Sequence, residues 1–385
     1  MRLLYLSADP GVPILGHKGA SVHVRELVGA FAAAGAAVTI ASPRIDEEGD
    51  TLEAPVELVP IEPVLPRFHG TASSLQLAVD QQAARIRELA EAVGVEAIYE
   101  RYSLFSDGGV KAAGALGLPH VLEVNAPLRV EAQRYRTLPH PELAAMIERD
   151  VFAATDRILA VSETLARLLE QAGVAPGRIQ VAPNAVDPAK FSRPRRVRDG
   201  PFTIGFAGSL KPWHGVEVLL EAFGEALRQI GDLRLEVVGD GPARDVVDRA
   251  PLPPGRITVH GGLSHTETIR AVSCWNVGVA PFVEVPSFYF SPLKLVEYMA
   301  AGVCPVASDQ PEIRALLDDG ERGVLVPPGD AAALARALVK LARERQRAAA
   351  MGARARDYVL ASHTWSDNAE RALRALRQRP AELVA

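Results

Sequence analysis

The feature that most constrains this chain is an alternation that runs through it twice. Short runs rich in β-branched residues are each followed by a longer stretch of helical period, the pattern of βα units that close a parallel sheet. The first series opens with a strand at 2–8 and a loop rich in Gly and Pro at 10–19. A helix follows on Val24, Leu27, Val28 and Phe31, which Gly35 stops. Further strands are predicted at 37–42, 56–61, 97–102, 120–124 and 157–161, with helices at 75–93, 108–116, 142–154 and 164–172. Residues 192–200, SRPRRVRDG, are basic, contain proline and lack an apolar period, so they read as a linker. At 202–207 the alternation restarts. Its strands are predicted at 233–238, 257–259, 277–280, 305–307 and 323–326, with an amphipathic helix on Val216, Leu219, Leu220, Phe223 and Leu227 and another helix at 294–301. Mixed-charge helices run from Ala331 onward. The fold class is α/β, with two similar domains in tandem.

Length agrees with this division, since 385 residues make two or three domains at about 150 residues each. The balance of 42 basic and 47 acidic side chains gives a net charge of −5, which excludes a strongly basic nucleic-acid binder. Two cysteines, Cys274 and Cys304, argue against a disulfide framework or a thiolate zinc site, and fit a reducing, cytoplasmic compartment. No apolar run reaches the roughly 18 residues that span a bilayer, and the opening apolar stretch is too short for a signal peptide. The chain reads as soluble, with peripheral membrane contact left open and its oligomeric state unspecified.

Chemistry concentrates at 288–302, FYFSPLKLVEYMAAG. Ser291 followed by Pro292 reads as an N-cap and then a proline at the first helical position. Ser291, Lys294 and Glu297 then share one helix face. As a surface ion pair the order is the weaker one, and Lys294 lies in the first turn, where the helix dipole favours an acid. A bound anion removes the conflict. Backbone N–H groups and an ammonium make a phosphate site, and Glu297 one turn deeper can accept hydrogen bonds from a ribose diol. A second site of this kind is 208–215, GSLKPWHG, between a strand and a helix. Taken singly, Lys211 reads equally as a solvated lysine and His214 as a packing histidine. Two such sites in one domain favour a diphosphate. The turn Gly239-Asp240-Gly241-Pro242 lies at a strand's carboxyl end, where open α/β sheets bind ligands, and the loop Gly16-His17-Lys18-Gly19 opens a helix in the first domain. No Gly-x-Ser-x-Gly, His-Glu-x-x-His or clustered metal-ligand spacing is present.

These residues resemble the retaining glycosyltransferases of family four along the length of the chain. GASVHVREL (19–27) is similar to that family's N-terminal glycine loop and helix, VAPNAVD (181–187) to its interdomain signature, and VGDGP (238–242) is typical of it. The most specific match is KLVEYMAAGVCPVAS (294–308), which looks like the donor-binding helix and the strand after it. The resemblance implies the GT-B architecture, two Rossmann-like doubly wound domains facing an interdomain cleft. It divides the chain into an acceptor side at 1–191, a linker at 192–200, a donor side at 201–365, and a terminal helix, 366–385, that packs back on the first domain.

In that family a basic pair in the loop matching 208–215 holds the donor's diphosphate. Its usual Arg and Lys positions are occupied here by Ser209 and His214, so Lys211 is expected to supply the lost charge. The family's Glu-x(7)-Glu motif keeps its second glutamate as Glu297, the implied ribose ligand, whereas Tyr289 replaces the first and leaves the sugar's identity open. Pro292 lacks an N–H where glycine is common, which Lys294 is expected to offset. Gly19, Gly208, Gly239, Gly241, Leu263, Ser291 and Leu293 complete the expected donor side. His17, Lys18, Glu100, Arg101 and Asn125 form the expected acceptor or sugar side, with Asn125 at the place of the family's sugar-contacting histidine.

The resemblance implies transfer of a hexosyl group from a nucleoside diphosphate sugar to an acceptor hydroxyl, with retention of configuration. No cofactor and no metal are expected, because Lys211, His214, Lys294 and helix N-termini would stabilise the leaving diphosphate. Three alternatives stand beside this reading: a nucleotide-sugar epimerase of the same fold, a nicotinamide-dependent Rossmann oxidoreductase, and a silent sugar-nucleotide sensor. The second lacks Gly-x-Gly-x-x-Gly after its first strand.

Overall fold

A computed structural model of the chain describes residues 1–45, 49–64, 70–192 and 200–378. The first series of runs forms a seven-stranded sheet from β1 (Arg2–Ser7), β2 (Ala37–Ser42), β3 (Glu57–Pro60), β4 (Ala97–Arg101), β5 (His120–Val124), β6 (Arg157–Ala160) and β7 (Ile179–Val181). Its order is β3-β2-β1-β4-β5-β6-β7, with every pair parallel. The second series forms a six-stranded sheet from β8 (Phe202–Ala207), β9 (Leu233–Val238), β10 (Ile257–Gly261), β11 (Val277–Ala280), β12 (Cys304–Ser308) and β13 (Val324–Val326). Its order, β10-β9-β8-β11-β12-β13, repeats that of the first sheet, again all parallel. Central strands such as β1 and β8 are buried on both faces almost throughout, as in a parallel sheet covered by helices on each side.

In both sheets the strand order reverses beside the first strand, between β1 and β4 and between β8 and β11. That reversal opens a crevice at the strands' carboxyl ends, and the loops leaving β1 (10–19) and β8 (208–215) border it. The two loops singled out in the sequence therefore hold the same topological position in their respective sheets.

Two crossings join the halves. The first follows β7 and includes the predicted linker, of which residues 193–199 lie outside the described residues. The second is the helix Trp365–Arg377, whose Trp365, Ala369, Leu373 and Leu376 enter the core formed by Leu3, Val24, Phe31 and Tyr99 of the first domain. The crossings are tied together where Val186 N–H donates to His363 C=O (2.9 Å) and Trp365 N–H to Val186 C=O (3.1 Å). Of the terminal segment expected to pack back, 379–385 lies outside the described residues. Strand β7 and the helix Leu128–Tyr135 were not predicted. The first is only three residues long and the second, LRVEAQRY, is mostly polar, so neither carries a readable period.

Candidate active site

The helix Leu293–Ala300 connects β11 to β12 and enters the crevice of the second sheet. It begins one residue later than a Ser291 cap would place it: Pro292 takes the cap position and no side chain caps the helix, which corrects the assignment of Ser291 as N-cap. Ser291 Oγ instead accepts the backbone N–H of Asn184 (2.8 Å), and the Asn184 amide donates to Ser291 C=O. Ser291 thus clips the start of the helix to the first domain. Leu293 likewise packs against the first domain's core.

Lys294 is the unusual residue of the site. Its Nζ is buried with no hydrogen-bond partner, 4.1 Å from the centre of the Phe206 ring and 5.5 Å from that of Phe282. Burial pulls its pKa down to about 7, although Glu297 favours the charge. Gly208 makes room for it, since a Cβ there would lie 2.7 Å from Nζ. A buried ammonium that makes no hydrogen bond among the described residues is costly unless an anion completes it.

The loop after β8 departs from expectation at His214. Its Nδ1 donates to Ser209 C=O, leaving Nε2 as an acceptor. Burial and then Lys294 push its pKa to about 3. His214 is therefore a neutral acceptor at neutral pH, which corrects its expected part as a source of positive charge. Ser209 serves through its carbonyl. Lys211 lies half-buried with its ammonium 4.8 Å from the Trp213 ring centre, and burial, then Lys18 and Arg136, lower its pKa. Gly239 and Gly241 fix the second wall: Leu210 N–H donates to Asp240 C=O (3.0 Å), and a Cβ on Gly239 would fall 2.1 Å from Gly208 C=O. Only glycine permits that backbone contact at φ +122°. Leu263 is partly buried against the core around Ile269.

Glu297, one turn below Lys294, is almost buried and is held by a residue that sequence reasoning missed. His265 Nε2 lies 2.7 Å from Glu297 Oε1, and its Nδ1 faces Glu26 Oε1 of the first domain at 3.5 Å. Burial opposes the charge on His265, but the two carboxylates outweigh it and raise the pKa to about 9. The signal was in the sequence: Ser264 and Glu267 have the spacing of a capping box, which forms here and puts His265 at the first position of a helix. Tyr289, in place of a family glutamate, spans the domains. Its hydroxyl donates to Glu131, and its carbonyl accepts from Ser162 Oγ (2.8 Å).

On the first domain, Gly19 starts the helix Gly19–Ala33, and a Cβ there would meet open space. Lys18 before it is exposed, while His17 is half-exposed with Nδ1 3.6 Å from Asp50. Glu100 does not reach the acceptor side as expected. Strand β4 alternates, so Arg101 points one way and Glu100 the other, into full burial against His120 Nε2 (3.0 Å) and Ser106 (3.4 Å). Arg101 reaches Glu123 (3.2 Å), which also meets His23 Nε2 (2.5 Å) and the Tyr99 hydroxyl (3.0 Å). Burial would raise Glu123, but His23 and Arg101 hold it at about 2. His23 Nδ1 in turn faces Asn184 Oδ1 (2.6 Å), so a chain of contacts runs Glu123–His23–Asn184–Ser291 to the start of the helix Leu293–Ala300. Asn125 Nδ2 is buried beside Glu123 and helps to keep that carboxylate ionised. His23 went unnoticed within its glycine-loop motif because its partners lie 100 and 161 residues away.

Two like-folded parallel-sheet domains in tandem, each with its strand order reversing beside the first strand, form a GT-B architecture. The sequence comparisons give the family. Residues 17–190 match the model described as Glycosyltransferase Family 4, and residues 201–344 match the one described as Glycosyl transferases group 1. The chain belongs to the family-four glycosyltransferases. It is similar to the phosphatidyl-myo-inositol mannosyltransferase of Mycobacterium leprae, 35% identical over 204 residues, 51% of this chain and 53% of that protein. It is also similar to the D-inositol 3-phosphate glycosyltransferase of Nocardia farcinica, 28% identical over 274 residues, 66% of this chain and 59% of that protein. The chain thus spans about half the length of these curated relatives. In fold it is similar to sucrose-phosphate synthase from Thermosynechococcus elongatus (TM-score 0.74, 22% identity, 98% of each chain). HepE of Anabaena in complex with UDP-glucose is another such neighbour (TM-score 0.72, 17% identity, 97% of this chain and all, 100%, of that one). Among the described residues no helix is long and apolar enough to cross a membrane.

Proposed function

We propose that this chain transfers a hexosyl group from a nucleoside diphosphate sugar to an acceptor hydroxyl with retention of configuration. The observation that carries the reading is Lys294: a fully buried, unpartnered ammonium between Phe206, Phe282 and the Gly208 loop is a site waiting for phosphate oxygens. The donor's diphosphate sits against Lys294 and the loop after β8. Glu297 takes the ribose diol. Lys211, at the outer edge of the loop, and the start of the helix Leu293–Ala300 add positive potential as the glycosidic bond breaks. His214 Nε2, a neutral acceptor, serves as a hydrogen-bond partner for a sugar or phosphate hydroxyl. This cationic set provides the charge a divalent ion would otherwise bring, so activity should persist in EDTA. Retention is taken from the family resemblance, as is attack from the face the phosphate leaves, with a phosphate oxygen accepting the acceptor's proton.

The acceptor lies on the first domain, across from the donor, near Lys18 and Asn125. Lys18 and Arg136 depress Lys211 while Glu131 partly offsets them, so the positive charges outweigh the negative one around Lys211. By their names, the two relatives act on phosphatidyl-myo-inositol and on D-inositol 3-phosphate, both phosphate-bearing polyols. A phosphate-bearing acceptor fits that cluster of cations. A content of only two cysteines, Cys274 and Cys304, fits a cytoplasmic setting.

The test is acceptor-dependent release of nucleoside diphosphate from UDP-glucose or GDP-mannose in EDTA, with inositol, inositol phosphates and glycerol phosphates as acceptors. Product configuration is then read by proton NMR. The expected result is release that requires acceptor, and a product of the donor's own anomeric configuration. Donor consumption without acceptor, or an inverted product, refutes the proposal.

A further inference from the structure

His265 joins three groups that belong to different parts of the molecule. Its Nε2 holds Glu297 Oε1 at 2.7 Å, its Nδ1 faces Glu26 Oε1 at 3.5 Å, and its backbone N–H donates to Asp50 Oδ2 at 3.2 Å. Glu297 belongs to the second domain, whereas Glu26 and Asp50 belong to the first. Asp50 is itself fixed by Arg25 (2.6 Å), whose guanidinium also donates to the carbonyls of Ile14 (2.9 Å) and Gly16 (2.6 Å) in the glycine loop. Glu26 is fixed from the crossing by Lys190 (2.5 Å), which reaches Glu53 as well (2.9 Å). One side of the imidazole is therefore set by the first domain's glycine-loop helix, and the other side orients the carboxylate of the donor helix.

We propose that His265 is a positioning residue that makes Glu297's grip on the donor ribose depend on the two domains being closed on each other. The inference rests on the donor reading of Glu297 given above. When the domains part, His265 loses Glu26 and Asp50 together and keeps, of the three carboxylates it meets here, only Glu297. The ring is then free to turn, and the carboxylate with it. In the closed form His265 occupies Oε1, which leaves Oε2 as the atom that meets the ribose hydroxyls. Burial makes the arrangement selective: the His265, Glu26 and Glu297 side chains are 12%, 7% and 10% exposed, so little water competes for these bonds. Donor affinity is in this way tied to closure through one side chain that need not touch the donor.

The test compares ribonucleotide with 2′-deoxynucleotide binding, which reads Glu297's contact and not general stability. UDP, GDP and their 2′-deoxy forms are titrated calorimetrically into the wild-type chain and into Glu297→Ala, His265→Ala, His265→Gln and Glu26→Gln variants, with thermal unfolding recorded for each. The wild type is expected to prefer the ribonucleotide by about tenfold, the range of a charge-assisted hydrogen bond. Glu297→Ala and His265→Ala should both lose that preference. His265→Gln, whose amide can still donate to Glu297, should recover part of it. Glu26→Gln, a change in the other domain, should reduce the preference at least threefold. If Glu297→Ala abolishes the preference and His265→Ala keeps it, the positioning role is wrong and the donor reading stands. If the wild type binds no nucleoside diphosphate, or Glu297→Ala discriminates as the wild type does, the donor reading fails and the inference fails with it.

Discussion

Replacing Lys294 by methionine should make the protein more stable and its donor site worse. Methionine keeps an unbranched stem over Phe206 and Phe282 and removes only the charge. The cost of that charge follows from its proton affinity. Each tenfold change in that affinity is ~1.4 kcal/mol, so a fall from 10.5 to about 7 disfavours the charged form by about 5 kcal/mol, to order of magnitude. Relaxation and water entry reduce what is measured, and buried charges replaced by apolar groups commonly give gains of about 1–4 kcal/mol. The sign with pH is fixed. Because folding lowers this lysine's pKa, the penalty is fully present below about 7 and disappears as pH rises toward 10.5. The stability gap between Lys294→Met and wild type should therefore narrow steadily across that window. Binding goes the other way: loss of a charge-assisted contact to the diphosphate, worth roughly 1.5–3 kcal/mol, should weaken UDP or GDP by about tenfold or more. Calorimetric unfolding and nucleotide titration on the same two proteins measure both halves. A variant that melts several degrees lower, or that binds nucleotide as tightly as the wild type, would refute the reasoning.

Other consequences can be checked separately. In wild type, nucleoside diphosphate binding at pH 8 should take up protons as Lys294 regains its charge, visible as a dependence of the calorimetric enthalpy on buffer. His265 has its pKa raised from 6.5 to about 9, so its stabilising contribution is complete below pH 6.5 and lost as pH rises through 9; unfolding curves of wild type and His265→Ala should converge above that. His23→Ala leaves the buried Glu123 carboxylate short of a partner and severs the chain of contacts to Ser291, for an expected loss of about 3–5 kcal/mol in chemical denaturation. Glu100→Gln should leave the kinetics toward donor and acceptor unchanged while shifting unfolding, since that side chain faces His120 within the fold; a changed acceptor KM would contradict its placement.

The fold was legible because its signals are local. Apolar alternation and period mark β1, β8 and the helices between strands, and the repeat of the series after residue 200 announced two matching sheets. Lys294 was legible too, because its position in a first helical turn conflicts with the helix dipole, and that conflict is visible without coordinates. What escaped depends on contacts between distant segments. Ser291 looks like a cap in isolation, yet Asn184, 107 residues earlier, takes its hydroxyl. Glu100 and Arg101 are neighbours in sequence with opposite directions in the strand, so one faces Glu123 near the cleft and the other the helix side. His214 was read as a cation because sequence shows its loop but not the Ser209 carbonyl that fixes its tautomer or the lysine beside it. His265 combines both difficulties, with partners 32 residues onward and 239 residues back.

The most direct measurement is calorimetric titration of the chain, in EDTA, with UDP, GDP, dTDP, ADP and their common sugar conjugates, with NADH as control. The account predicts selective binding of one nucleoside diphosphate and its sugar conjugate, weakened at least tenfold by Lys294→Met, and no response to NADH. Binding of NADH alone, or of none of these nucleotides, would contradict it.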